Sequence, residues 1–176
     1  MFATLAAFAA TSFAPASPAE SAAWQRYSLG TSGLTMELPA APSRFDLPLS
    51  NDVRGKVEVQ EAYMVSSSFP VLIASYTRYM QGIQVNLASA ADGAVGSLKS
   101  RAKPGTFTLK QSDTEACGYP AKAASGSFDS GQGKFRFTLL AFGAGRDFWQ
   151  TIALWPEGSD GGSAAQRALS SVQMSR

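Results

Sequence analysis

Histidine is absent from all 176 residues of the chain, and cysteine occurs once, at Cys117. The first absence removes the usual general base, the Ser–His and Cys–His nucleophile pairs and the commonest transition-metal ligand. The second rules out an internal disulfide and a thiolate zinc cage. Between small neighbours, Ala116 and Gly118, the lone thiol reads as a small buried hydrophobe. Charge is also scarce. Only 16% of residues are charged and the net charge is +2, with no basic cluster, so nucleic acid is not an expected partner. No cofactor or metal is expected either. What remains is the composition of one soluble globular domain, long enough to bury a core.

The opening residues differ from all that follow. Phe2–Phe13 is an alanine-rich apolar run, too short for a permanent span, and the Ala/Pro/Ser residues after it offer cleavage near Ala16 or Ala19. The usual basic n-region is missing, since the first positive residue is Arg26. Either the true start lies upstream, or the stretch is a low-complexity leader without an export role. Export is the expectation, to the periplasm or the medium, with residues 1–23 as leader and linker and 24–176 as one domain. No lipobox-type cysteine supplies a stable membrane anchor.

The densest β-forming stretch is Gly118–Pro156. It reads as three successive strands, Pro120–Phe128, Lys134–Phe142 and Asp147–Trp155, separated by glycine turns at 129–133 and 143–146. A four-residue second loop pairs Phe142 with Asp147, Leu140 with Trp149 and Arg136 with Ala153. One face then carries Phe135, Phe137, Leu139, Phe148, Ile152 and Leu154. The other carries Lys134, Arg136, Leu140, Trp149 and Trp155, with Lys122 opposite Leu140 on the first strand.

Upstream, Trp24–Leu29 and Leu34–Leu38 form an entry hairpin, and Ser43–Arg54 is loop-like. Val57–Val65 alternates as a half-buried strand, and Pro70–Met80 has a core buried on both faces. Asn86 caps the clearest helix, whose Leu87, Ala90, Ala91, Ala94, Val95 and Leu98 recur at helical spacing until Pro104-Gly105. Gly93 and Gly96 weaken this helix and are expected to allow close packing on the sheet. A strand over Thr106–Glu115 leads into the meander, and an amphipathic helix from Ser163 closes the chain. Strands, helix, strands, helix give an α+β domain: an antiparallel sheet flanked by helices.

That order of features resembles the PsbP-like proteins, the superfamily that also holds the yeast Ran-binding Mog protein. The resemblance covers about Trp24 to Met174. It rests on Gly33-Leu34-Thr35-Met36-Glu37-Leu38-Pro39, the mid-chain helix, Gly118-Tyr119-Pro120-Ala121, the strand Lys134–Phe142 and the closing strand and helix. It implies an α/β/α sandwich. Members include photosystem extrinsic subunits, a small-GTPase binder and many secreted bacterial proteins. No binding segment of the specialised members matches, so no functional residue is carried over.

Candidate motifs dissolve into local structure. Ser100-Arg101-Ala102-Lys103 has Ser-x-x-Lys spacing but lies at a helix end without its partner motifs. Gly131-Gln132-Gly133-Lys134 lacks the earlier glycine of a phosphate loop and precedes a strand. Asp129, Asp147 and Asp160 suit turns better than a calcium site. The remaining candidate is a binding face of Lys122, Arg136, Trp149 and Trp155, since tryptophan and arginine are enriched at hot spots. The competing reading has a helix covering that face. The expected function is a non-enzymatic exported binding or accessory module with a protein partner. The alternative is a hydrolase or other enzyme with a cryptic carboxylate or serine site.

Overall fold

The computed structural model describes residues 23–49, 51–67 and 69–175. The leader expected over residues 1–23 lies, up to residue 22, outside the described residues. Two strands, β1 (Gln25–Leu29) and β2 (Leu34–Leu38), form the entry hairpin, and the short β3 (Ser43–Arg44) and the single helical turn α1 (Asn51–Arg54) occupy the stretch read as loop. β4 (Val57–Val65) and β5 (Val71–Tyr79) precede the helix α2 (Leu87–Lys99). β6 (Thr108–Ala116), β7 (Tyr119–Asp129), β8 (Lys134–Ala144) and β9 (Asp147–Pro156) follow in an unbroken meander. The helix α3 (Gly161–Ser170) and β10 (Gln173–Met174) complete the chain.

The main sheet has the order β3-β4-β5-β9-β8-β7-β6, antiparallel at every pair. The expected α+β class with a flanked antiparallel sheet is therefore what the chain adopts. The entry hairpin does not join that sheet. It forms a second, three-stranded sheet, β1-β2-β10, in which the end of the chain adds to β2. That sheet and α3 lie on one face of the large sheet, where Leu34, Met36, Phe142, Trp149, Ala165 and Ala168 share a core. On the opposite face, α2 buries Ala91, Val95 and Leu98 against Ala124, Leu139, Phe148, Phe128 and Phe137.

Local chemistry accounts for the elements. Asn86 caps α2 as expected, its Oδ1 accepting from Ser89 N at 3.0 Å. Gly93 and Gly96 face open space, so they do not serve close packing; the small residues toward the sheet are Ala91 and Ala94. Cys117 and Gly118 form the two-residue β6–β7 turn, both at positive φ (55° and 81°), as a type I′ hairpin requires. The thiol is half-buried against the α3-side core, and its burial pushes its pKa up.

Two hairpin registers depart from the expected ones. The β8–β9 loop has two residues, Gly145 and Arg146, so Ala144 pairs with Asp147 and Phe142 with Trp149. Gly145, at φ 58°, takes the first loop position, where a type II′ turn favours glycine. Gly143 stays in the strand. The shift is two residues, so the faces of β8 and β9 are those expected. At β7–β8 the loop is one residue shorter than expected, because Asp129 pairs with Lys134. An odd shift exchanges faces: Lys122 pairs with Ala141, on the α2 side.

Candidate binding cleft

The four residues expected on one face do not share a surface. Lys122 is on the α2 side, in an ion pair with Asp113. Trp149 is a core residue, only 5% exposed, and its Nε1 donates to Ser32 O at 3.3 Å. It stacks between Phe142 and Tyr76, each with its centroid 5.4 Å away, in a row of aromatic rings that begins at Tyr119 on β7 and ends on β5. Trp149 is therefore buried, as the competing reading requires, but beneath the β1–β2 turn and not beneath a helix. Arg136 and Trp155 do remain together. They pair directly across β8–β9, on the face that carries α3.

Their neighbours build an open cleft of about 500 Å³ between α3 and the β6–β7–β8 end of the sheet. Strand alternation positions its floor: the pairs Thr108–Ser127 and Lys110–Ser125 bring alternate residues of β6 and β7 to this face, and Ser125 pairs with Thr138 on β8. Thr108 Oγ1 and Ser127 Oγ are 2.9 Å apart, and Ser127 N donates to Thr108 Oγ1 at 2.9 Å. One wall is α3, through Gly162 and Gln166. The helix sits directly on the indole of Trp155, because a Cβ on Gly161 would lie 2.8 Å from Trp155 Cγ and 3.1 Å from Cδ1.

The two cations of the cleft, Lys110 and Arg136, are both exposed. Arg136 Nε stands 3.7 Å from Glu157 Oε1, a surface pair that screens it only in part. Among the described residues lining the cleft there is no carboxylate or thiol. Lys110 lies opposite Ser125, yet both are exposed, so nothing desolvates the amine as a catalytic base would require. The arrangement can hold an anionic group by charge, hydroxyl donors and an aromatic edge. It offers no activated nucleophile.

The other polar groups are accounted for structurally. Glu61, 7% exposed, accepts from Thr31 N (2.9 Å) and Thr31 Oγ1 (3.2 Å), and so clamps the β1–β2 turn onto β4. An acid among the inward positions Val59, Tyr63 and Val65 was the signal for this. Asp129 accepts from Gly131 N at 2.7 Å, ordinary turn chemistry, and Ser100 Oγ donates to Ser97 O at the end of α2.

Asp147 is held at the end of the aromatic row. Burial pushes its carboxyl up, but bonds from Arg78 Nε (2.8 Å) and the Tyr76 hydroxyl (2.5 Å) outweigh this, and its pKa lies below the ordinary carboxylate value. A depressed folded-state pKa contributes stability above the unfolded value of about 4, lost as pH falls through the folded one. Asp147→Asn should therefore flatten the acid limb of stability. Thermal midpoints measured from about pH 6 to about pH 2 should fall less steeply for the variant. Parallel curves would count against the role given to Asp147.

No family model and no curated protein matches the chain. Among solved structures, it resembles that of a Pseudomonas aeruginosa protein of unknown function at 11% identity, with a TM-score of 0.40. The match covers 76% of this chain and 83% of that one.

Proposed function

We propose that this chain is an exported binding or accessory module of the PsbP-like kind, and that its cleft takes an anionic segment of a protein partner. The observation that carries the reading is the pairing of Arg136 with Trp155 on an open floor that also presents Lys110 and a group of hydroxyls. Arginine and tryptophan supply most of their binding energy where a partner can desolvate them, and here both border open space. The placement of α2 on one sheet face and α3 on the other is consistent with the α/β/α sandwich of that superfamily, with the β1-β2-β10 sheet as an addition beside α3. The alanine-rich leader supports export.

The test is affinity capture on the immobilised full chain from the exported proteins of its source organism. Parent protein is compared with a Lys110→Glu, Arg136→Glu double variant. Both positions are exposed, so the variant should keep the parent's circular dichroism and melting temperature. A partner retained by the parent should be lost from the variant, and its retention should fall with salt. Equal retention by the two proteins would sink the cleft as the binding site.

A further inference from the structure

The cleft reaches the edge of the sheet, where Thr108, Leu109 and Lys110 of β6 line it. This strand runs for nine residues as the last of the seven-stranded sheet, paired to β7 without a register break. Thr108 to Glu115 are all exposed, no proline interrupts the strand, and among the described residues no strand pairs with its outer edge. Exposed edges of this length are usually shortened, bulged or covered, because their free amides and carbonyls accept another strand.

The β6–β7 turn defines which groups are free. A two-residue loop makes its flanking residues, Ala116 and Tyr119, a hydrogen-bonded pair, and the pattern alternates from there. Thr114, Ser112, Lys110 and Thr108 therefore turn their backbone groups toward β7. Leu109, Gln111, Asp113 and Glu115 turn theirs outward. Charge on the two faces of the edge is opposite. On the cleft side stands Lys110, with Arg136 beyond it. On the α2 side stand Asp113 and Glu115, with Lys122 neutralising only the first.

We propose that β6 accepts an extended peptide of a partner protein as an eighth strand, antiparallel to β6. The peptide would place acidic side chains on the cleft side at every second residue, and neutral or basic ones between them on the α2 side. Main-chain bonds to the four outward residues provide the docking, and Lys110 selects the face. The proposal rests on the binding reading above and names the partner's chemistry. A second copy of the chain is a poorer occupant. Self-pairing about Ser112 sets Lys110 against Thr114 and Gln111 against Asp113, which joins no opposite charges.

The probe is a capped nine-residue peptide with glutamate at every second position and threonine or lysine between, titrated into the full chain. Peptide should slow hydrogen exchange at the amides of Leu109, Gln111, Asp113 and Glu115. Methylating the peptide's amide nitrogens at the threonine and lysine positions should weaken binding at least about tenfold, since several main-chain bonds are lost. Methylating those at the glutamates should leave it unchanged. Lys110→Glu should weaken the unmodified peptide by about fivefold, the worth of one exposed ion pair. Equal binding of the two methylated peptides, or no binding at millimolar peptide, overturns the proposal. So does protection of the four amides that rises with protein concentration alone, which would make a second copy the occupant. If partner capture through Lys110 and Arg136 persists while the peptide fails, strand addition is wrong and the cleft reading stands.

Discussion

Trp149→Ala should collapse the urea midpoint of this protein. The ring is buried, stacked on Phe142 and Tyr76, and its Nε1 holds the carbonyl of Ser32 in the β1–β2 turn. Truncating an aromatic core residue costs about 3–5 kcal/mol. With a urea slope of about 1–3 kcal/mol per molar, the midpoint should drop by at least about 1 M. Trp24 is the control: its ring is only half-buried and lies under the Arg167 guanidinium at 4.6 Å. Removing it should cost about 1 kcal/mol, the scale of an exposed cation–π contact. A Trp149→Ala midpoint equal to that of Trp24→Ala would mean that the aromatic row does not hold the hairpin to the sheet.

The second large effect is expected from a single added methyl group. In β7, a Cβ at Gly126 would lie 2.0 Å from the backbone oxygen of Thr108 and 2.9 Å from the Phe137 ring. The chain entering β6 crosses this glycine so closely that Phe107 stacks on Phe137 at 5.5 Å. Gly126→Ala must push the backbone of β6 outward, and about 3 kcal/mol should be lost, at the upper end of overpacking penalties. The same substitution at Gly96 meets nothing within 4 Å in an exposed helical position. There it should add about 1 kcal/mol of stability through helix propensity. Urea titrations of both variants decide the matter: two changes of the same sign would refute the close approach at Gly126.

The elements decided by near neighbours could be read from residues alone. Periodicity located α2, its cap at Asn86 and the three meander strands, because each is decided by neighbours within a few positions. Face assignments of β8 and β9 survived a wrong loop length because the shift was even. Lys122 did not survive, since whether Asp129 ends a strand or begins a turn changes the count by one. Its carboxylate makes the turn-type bond to Gly131 N while its backbone still pairs with Lys134, and composition cannot separate the two. The cleft was half legible. Arg136 and Trp155 were singled out by type, whereas Thr108, Lys110, Ser125 and Gln166 are ordinary residues that matter only through the strand order and the seat of α3. The second sheet was not legible, since β10 is two residues long and its partner lies near the other end of the chain.

That last pairing has a kinetic consequence. Thr35 accepts no strand on its outer side until Gln173, 138 residues later, has been made. Arg26 likewise reaches across to the Ser171 carbonyl. Closing a loop of that length carries an entropic cost that only fully formed docking sites can repay, and contacts so distant in sequence slow folding. During synthesis the β1–β2 hairpin thus emerges before the other described elements and is the last of them to be completed. Its apolar side chains Leu29, Leu34, Met36 and Leu38 wait for β4, β5, β9 and α3 before they can be buried. In a refolding experiment, signals from the hairpin should lag behind those from the β6–β9 meander, whose strands are each adjacent in sequence.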